Sequence, residues 1–233
     1  MKSFIRNLTI SGVAVWALVG GMSHANAQVT VGVDPGASWI GFMNVFNLPS
    51  QGGGYQFNSS WGVGDLTATW AGPVLTLGPN AINDPTAYWY TPSGGSGATG
   101  NKIMDANMYV ETTGVYSGET LSFSGNVLSS TLLSSHDANG NGWTSVAFIK
   151  DFAPDYSSSI SQTVPLVNGF FSVALALPAD PTRHVQYGFE TIGPDVWITD
   201  VAPFGSIQIV PEPGALALLG LGLGISAWLR RRH

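Results

Sequence analysis

A short loop in the second half of the chain places side-chain oxygens at alternate positions. Asp137, Asn139 and Asn141 are each separated by one small residue, and Gly142 follows them. Loops of this kind wrap Ca²⁺, because a hard cation takes its ligands from carboxylate and amide oxygens of a tight turn. An EF-hand would also need a bidentate glutamate, but the twelfth position from Asp137 is Phe148. The loop therefore predicts either a structural Ca²⁺ site or a Gly and Asn hairpin turn without a metal.

Several acidic residues could serve glycoside hydrolysis, which needs only two carboxylates across a cleft. The candidates are Glu111, Glu119, Asp151, Asp155 and Glu190. The simpler interpretation is that these acids are solvated residues of loops and strand edges. The sequence contains no cysteine, no Gly-x-Ser-x-Gly elbow, no His-Glu-x-x-His zinc motif and no phosphate-binding Gly-Lys-Ser/Thr loop. We therefore expect no catalytic residues and a protein that is not an enzyme.

Aromatic side chains offer a different chemistry, since sugar rings pack against aromatic faces that have amides and carboxylates nearby. Six tryptophans lie between residues 28 and 210, and most must belong to the core because each buries a large area. Tyr88, Trp89 and Tyr90 differ, because successive side chains of a strand point to opposite faces. At least one of these rings should reach solvent beside the Gly- and Ser-rich loop 93–100. The three residues are the predicted ligand platform.

Strands must position these residues, because the chain alternates apolar and polar side chains in short runs separated by Gly, Pro and Asn. Helical periodicity is confined to the two ends of the chain. The predicted strands cover 28–33, 39–46, 65–70, 74–77, 103–112, 119–128, 143–150, 170–177, 185–191, 196–200 and 206–210. This spacing predicts an all-β fold, a β-sandwich or jelly roll of about ten strands.

Two connections are also predicted from residue types. A hairpin through Gly114–Gly118 is expected to join the strands on either side of it. Tyr55, Phe57 and Trp61 are expected in a Gly- and Ser-rich loop that is packed by its own rings.

The central part of the chain, residues 28–210, is strongly acidic. It contains 13 acidic residues against three basic ones, Lys102, Lys150 and Arg183, which gives a net charge of 3 − 13 = −10. Nucleic acid is excluded as a partner, because neutralising phosphates requires clustered Lys and Arg. Without cysteine, hydrophobic burial must hold this domain together, helped by a cation if the loop binds one.

The N-terminus has the pattern of a secretory signal peptide. Lys2 and Arg6 precede an apolar run over residues 8–21, and Ala25-Asn26-Ala27 follows as a small-residue cleavage site. A signal peptide is therefore predicted over residues 1–27, with signal peptidase as the enzyme that removes it.

The C-terminal segment, residues 211–233, shows three features in a fixed order. Pro211-Glu212-Pro213 is followed by an uncharged run from Ala215 to Leu229, and then by Arg230, Arg231 and Arg232. A helix of that run would span about 22 Å, short of the roughly 30 Å hydrocarbon core of a bilayer. A single hydrophobic helix is predicted here, one that anchors the chain only marginally in a membrane.

This C-terminal segment resembles the sorting signal of PEP-CTERM proteins. The resemblance implies recognition by an exosortase-type membrane enzyme and cleavage near the tripeptide. It also implies a precursor anchored in the inner membrane, followed by delivery to the outer envelope, cell surface or extracellular matrix. A plain single-span anchor is the alternative.

The central domain resembles galactose-binding and carbohydrate-binding sandwich modules in its general character, without a motif that carries the resemblance. Together, these features predict an exported, non-enzymatic envelope or matrix protein associated with extracellular polysaccharide. The alternatives are a carbohydrate-binding module with an aromatic platform and a glycan-active enzyme.

Overall fold

The structure is a computed structural model that describes residues 28–135 and 141–212. The predicted signal peptide and the sorting segment from Pro213 onward lie outside the described residues. Within the described part of the chain, no helix is long and apolar enough to cross a membrane.

The described residues form sixteen strands and three short 3₁₀ helices. The first eight strands are β1 (Gln28–Gly32), β2 (Ile40–Asn47), β3 (Tyr55–Trp61), β4 (Ala68–Ala71), β5 (Val74–Leu77), β6 (Ala81–Ile82), β7 (Tyr90–Thr91) and β8 (Thr99–Gly100). The other eight are β9 (Lys102–Thr113), β10 (Thr120–Ser130), β11 (Thr144–Phe152), β12 (Ser159–Pro165), β13 (Gly169–Ala176), β14 (His184–Pro194), β15 (Val196–Trp197) and β16 (Ile207–Val210). The 3₁₀ helices cover Pro49–Gln51, Val63–Leu66 and Ala202–Phe204. The predicted all-β fold is confirmed.

Twelve of these strands form two six-stranded sheets. Sheet B runs in the order β12-β11-β14-β9-β2-β3, and all of its neighbours are antiparallel. Sheet A contains β1, β10, β16, β5 and β4 in that order, with β13 paired to β10 as well. In sheet A, β10 pairs with β13 along one edge, while β1 and then β16 share its other edge. The short strands pair as β15 with β6 and as β7 with β8.

The two large sheets pack face to face around one hydrophobic core, as in a β-sandwich. The ring of Phe123 on β10 lies 5.3 Å from that of Phe189 on β14, measured between centroids. On β9, the side chains of Met104 and Met108 are buried in the core. The prediction that apolar and polar residues of segment 103–112 face opposite sides is confirmed, because this strand lies in the middle of a sheet with one face on the core.

The predicted hairpin through Gly114–Gly118 is wrong, because β9 and β10 belong to different sheets. Their connection crosses from one sheet to the other, next to a second crossing loop between β13 and β14. The Gly114 amide donates to the carbonyl of Arg183 at 3.2 Å, and the Gly118 amide donates to that of Pro178 at 3.0 Å. The amides of Gly114 and Gly118 therefore bond to the second loop and not across a hairpin.

Two other local predictions differ from the structure. Residues 55–61 form β3, an edge strand of sheet B, where an irregular loop was expected. The strand expected over 65–70 starts at Ala68, because residues 63–66 form a 3₁₀ helix that Thr67 terminates in the left-handed region, with φ of 56°. The Thr67 hydroxyl donates to the Pro79 carbonyl at 2.7 Å, which holds this bend in place.

Some strand boundaries in the structure differ from the predicted ones. The strand predicted over 196–200 shortens to the two residues of β15, and β12 was not predicted at all. Trp143 is 2% exposed but lies just before β11, and its indole nitrogen donates to the Pro194 carbonyl at 3.1 Å.

A buried carboxyl lies where β14 leaves sheet B. The amide of Lys102 donates to Asp195 Oδ1 at 2.9 Å, and the Asp195 amide donates to the Lys102 carbonyl at 3.0 Å. Asp195 Oδ2 is buried without a hydrogen-bond partner among the described residues. Burial therefore raises the pKa of Asp195 to about 7, even though the Lys102 amide works in the opposite direction.

This raised pKa predicts a pH dependence of stability. The unfolded chain loses the Asp195 proton near pH 4, whereas the folded domain keeps it until about pH 7. The stabilising contribution is complete below pH 4 and is lost as pH rises from 4 through 7, by about 1.4 kcal/mol per pH unit at most. Asp195→Asn should remove this slope, as measured by urea unfolding between pH 4 and 8.

The matched control is Asp155→Asn, because hydrogen bonds from Ser157 lower the pKa of Asp155. That substitution should leave the slope between pH 4 and 7 unchanged. Parallel stability curves for the wild-type protein and Asp195→Asn would contradict the prediction.

Candidate functional site

The outer face of sheet B carries a groove of about 550 Å³. The register of the strands aligns its side chains, since Asn107 on β9 lies opposite Phe42 on β2 and opposite Glu190 on β14. The lining residues combine aromatic rings with amides, hydroxyls and charges: Phe42, Tyr109, Phe152 and Tyr156, with Asn44, Asn58, Ser60, Asn107, Glu111, Lys150 and Gln186. The volume and the mixture of groups are typical of sites that bind small polar ligands.

One polar network connects four strands beneath the groove. The Lys150 ammonium donates to Glu190 at 2.5 Å and to the side-chain oxygen of Asn107 at 2.8 Å. The Asn107 amide donates to Asp105 Oδ1 at 2.7 Å, and the Asn44 amide donates to Asp105 Oδ2 at 3.1 Å. Because β11, β14, β9 and β2 each supply a member, the network fixes these side chains before any ligand arrives.

A second network forms one end of the groove around Glu111. Its carboxylate accepts hydrogen bonds from the Gln186 amide at 2.6 Å and from the Tyr156 hydroxyl at 3.0 Å. The Tyr156 ring stacks on His184, with ring centroids 4.5 Å apart. Loss of solvent, assisted by the Glu111 carboxylate, raises the pKa of Tyr156 to about 12. Tyr156 therefore stays a neutral hydroxyl donor.

The two acids of the first network have different environments. Burial raises the pKa of Asp105, and the negative charge of Glu190 raises it further. The positive charge of Lys150 and the hydrogen bonds from Asn44 and Asn107 oppose this shift but do not cancel it. The network next to the groove thus holds a carboxyl that keeps its proton at higher pH than an ordinary aspartate.

The predicted aromatic platform lies outside this groove. Trp89 and Tyr90 are 8% and 0% exposed, whereas Tyr88 is 40% exposed. The Tyr90 hydroxyl lies 2.7 Å from the carbonyl oxygens of both Ile82 and Val196. Tyr88 keeps its ring at the surface, with the Lys102 ammonium 4.4 Å from the ring centroid. The role of this segment as a ligand platform stays a prediction. Of its three rings, only that of Tyr88 is exposed enough to contact a ligand.

The five candidate acids are not gathered in one place. Glu111 and Glu190 share the outer face of sheet B. Asp151 is 1% exposed and accepts a hydrogen bond from Arg183 at 2.7 Å. Asp155 is exposed and accepts from Ser157, and Glu119 precedes β10. Of the five, Glu111 lines the groove, whereas Glu190 belongs with Asp105 to the polar network next to it.

The predicted calcium loop stays a prediction. Asp137 and Asn139 lie outside the described residues, while Asn141 lies within them, three residues before β11. Among residues 28–135 and 141–212, no group of three or more His, Cys, Asp or Glu side chains could hold a metal ion.

A second cavity of about 550 Å³ lies beside β3 and β6, lined mainly by loop residues. Two of its polar groups already have partners, since the Thr67 hydroxyl bonds to Pro79 and Asp84 accepts from the Thr86 amide. The groove on sheet B is the stronger candidate, because charged and amide side chains from several neighbouring strands converge there.

Sequence reasoning missed most of the groove. Asp105, Asn107 and Tyr109 lie in the predicted strand 103–112, but the sequence assigns no partner strand to it. Of the eleven lining residues, only Glu111 is among the candidates that the sequence predicts, and Asn44, Tyr156 and Gln186 are among those it does not. The available signal was the density of Asp, Asn and Glu on the outward face of a long, half-buried strand.

Comparison with known families identifies the C-terminal segment. Residues 210–232 match the family model of the PEP-CTERM protein-sorting motif, so the predicted motif is confirmed. The motif implies an exported, membrane-anchored precursor that an exosortase-type enzyme sorts. No curated protein and no solved structure matches the chain.

The first residues of this motif belong to the folded domain. Val210 is the last residue of β16, Pro211 is buried and Glu212 is half-buried. Pro213, Arg230, Arg231 and Arg232 lie outside the described residues.

The first network predicts opposite responses of Asp105 to two substitutions. Lys150→Met removes a positive charge and should raise the pKa of Asp105 further, whereas Glu190→Gln removes a negative charge and should lower it. A carboxyl-detected NMR titration measures both shifts. Lys102→Met, which removes a charge outside this network, is the control and should leave the Asp105 titration unchanged. Shifts in the same direction for the first two variants would contradict the network.

Proposed function

We propose that this chain is an exported, non-enzymatic protein that associates with extracellular polysaccharide through the groove of sheet B. The observation that supports this proposal is the line of amide, charged and aromatic side chains that four cross-linked strands hold on one face. The sorting motif supplies the export route on which the proposal rests.

The chemistry of the groove suits a ligand rich in hydroxyl groups. Glu111 is a strong hydrogen-bond acceptor, whereas Lys150 and Gln186 are donors. The groove therefore offers both an acceptor and donors to a sugar hydroxyl, which can itself donate and accept. Tyr109 and Phe42 add apolar ring surface for the C–H face of a sugar. Most of these polar groups already bond to one another, so a ligand would meet a pre-arranged surface and cause little reorganisation.

Each sugar unit should bind weakly. A groove on the face of a sheet contacts a ligand from one side, so the affinity for one unit should be about millimolar, near 4 kcal/mol. A polymer that occupies several copies of the protein would be retained through multivalency, without any further contact per copy.

A glycan-active enzyme is the second candidate, and one observation favours it. Asp105 has a raised pKa and interacts with the charge of Glu190, as expected for two carboxyl groups with different catalytic roles. Against this candidate, Asp105 is held by Asn44 and Asn107, and Glu190 is held by Lys150. We favour binding, because both carboxyl groups have structural partners.

The role of the groove in binding can be tested by removing aromatic side chains that line it. Phe42→Ala and Tyr156→Ala should each weaken binding to a bacterial exopolysaccharide by about tenfold, since each removes contact area worth about 1.4 kcal/mol. Tyr88→Ala, which removes the exposed ring outside the groove, is the matched control and should bind normally. Affinity electrophoresis through a panel of immobilised polysaccharides provides the measurement.

Two results would overturn the assignment. If Tyr88→Ala weakens binding while Tyr156→Ala does not, the ligand binds at the Tyr88 segment. If the wild-type protein releases reducing sugars from any member of the panel and Glu190→Gln does not, the protein is an enzyme.

Truncation tests the role of the tail. Because Pro211 is buried, the informative truncation ends at Glu212 and keeps the whole of β16. The truncated protein should melt within about 1 °C of the full chain but fail to reach the location of the full chain, in a host that has an exosortase-type enzyme. Identical localisation of the two forms would contradict the sorting role. A variant in which Gln replaces Arg230, Arg231 and Arg232 is the matched comparison, because it alters the sorting motif without shortening the chain.

A further inference from the structure

The charged residues of this domain are divided unequally between its two sheets. In the described part of the chain, none of the six strands of sheet A contains a charged residue. The charges that lie on strands all belong to sheet B: Lys102, Asp105, Glu111, Lys150, Asp151 and Glu190. Asp34 and Glu119, which flank strands of sheet A, lie in connections. A domain with a net charge of about −10 therefore has one uncharged face.

The outer side of this uncharged face carries large exposed apolar side chains. Phe170 on β13 is 64% exposed, and Leu128, at the bulge of β10, is 51% exposed. The side chains around them are small and neutral, as with the hydroxyls of Ser122 and Ser172, which bond across the strands at 3.0 Å. Sheet B also exposes apolar side chains, at Ile40, Tyr55 and Ile160, but its strands carry charges. The combination of exposed Phe and Leu with uncharged strands favours sheet A as the face toward an apolar partner.

The sorting motif begins on this same face. Phe170, Asn126 and Val210 lie side by side on three neighbouring strands, and Val210 is the first residue of the motif. β16 cannot continue beyond Val210, because β1 occupies the same edge of β10 and ends opposite Ser124. The chain therefore leaves sheet A at Val210, next to Asn126 and Phe170.

The distance to the apolar tail is short. Five residue steps separate Val210 from Ala215, where the uncharged run begins, and a fully extended chain covers about 17 Å in five steps. Whatever path the chain takes, Val210 of sheet A therefore lies within about 17 Å of the start of the uncharged run.

We propose that the outer face of sheet A rests on the lipid surface of the membrane that holds the tail of the precursor. Bringing carboxylates to a low-dielectric surface is costly, and anionic headgroups repel them as well. Because the strands of sheet A carry no charged residue, this sheet can approach the membrane without that cost. Phe170 and Leu128 would then enter the interfacial layer of the bilayer. The proposal rests on the sorting motif and is independent of the proposed glycan binding.

The absence of cysteine from the sequence allows a direct test. Ser172→Cys places one thiol on the outer face of sheet A, and Ser161→Cys places one on the outer face of sheet B. Both positions are exposed. The full-length chain is labelled with an environment-sensitive nitrobenzoxadiazole dye and reconstituted into phosphatidylethanolamine and phosphatidylglycerol vesicles that contain spin-labelled lipid.

The expected result is a loss of fluorescence by quenching at position 172 and none at position 161. Adding Phe170→Asp to the Ser172→Cys chain should abolish the quenching, whereas Phe170→Leu should preserve it. Because Phe170 is largely exposed, neither substitution should alter the melting temperature, which is measured in parallel.

Three results would overturn the proposal. Equal quenching at the two positions would show that the domain has no fixed face toward the lipid. If the dye at position 172 is shielded from solvent in detergent, and the shielding increases with protein concentration, the face binds a second copy of the chain. Quenching or shielding that requires the sorting enzyme would assign it to that protein.

Discussion

The pairing of β9 with β14 is the constraint on which the rest of the structure depends. The two strands stay in register over eleven residue pairs, from His184 opposite Thr113 to Pro194 opposite Ile103. Met108 and Phe189 enter the core from this ladder, whereas Asn107 and Glu190 face outward into the groove network. A slip of one residue would exchange these sets, placing charges in the core and methionine at the surface. The register between β9 and β14 therefore decides both which side chains enter the core and which face the groove.

Without disulfides, the domain is held by burial and by polar contacts between elements that are distant in sequence. The two crossing loops bond to each other through Gly114 and Gly118, which joins the sheets at one end. Arg183, from one of these loops, pairs with the buried Asp151 on β11 at 2.7 Å. The groove network joins four strands on the outer face of sheet B in the same way, so the side chains beside the proposed binding groove also stabilise the sheet.

The sequence predicted the fold where local pattern decides the structure. β9 was recognised because a central strand with one face on the core must alternate. β3 and β12 were missed because they are edge strands of sheet B, where polar residues such as those of segment 159–163 are tolerated on both faces. The hairpin at 114–118 was misjudged because the same glycines suit a turn within one sheet or a crossing between two.

The groove could not be predicted, because its contacts join residues far apart in the chain. Lys150 reaches Asn107 across 43 positions, and Gln186 reaches Glu111 across 75. Such pairs exist only once the strand order is known. The tail is the opposite case, since all of its information lies in consecutive residues and the motif could be identified without any structure.

The direct passage from β16 into the sorting motif has a geometric consequence. A flexible spacer would let each attached domain sample many heights and orientations, whereas here the tether begins inside a rigid sheet. The two sheets lie about 10 Å apart and their outer faces point in opposite directions. If the outer face of sheet A rests on the lipid surface, as proposed above, copies tethered side by side would all present their grooves on the side away from the membrane, as a single layer.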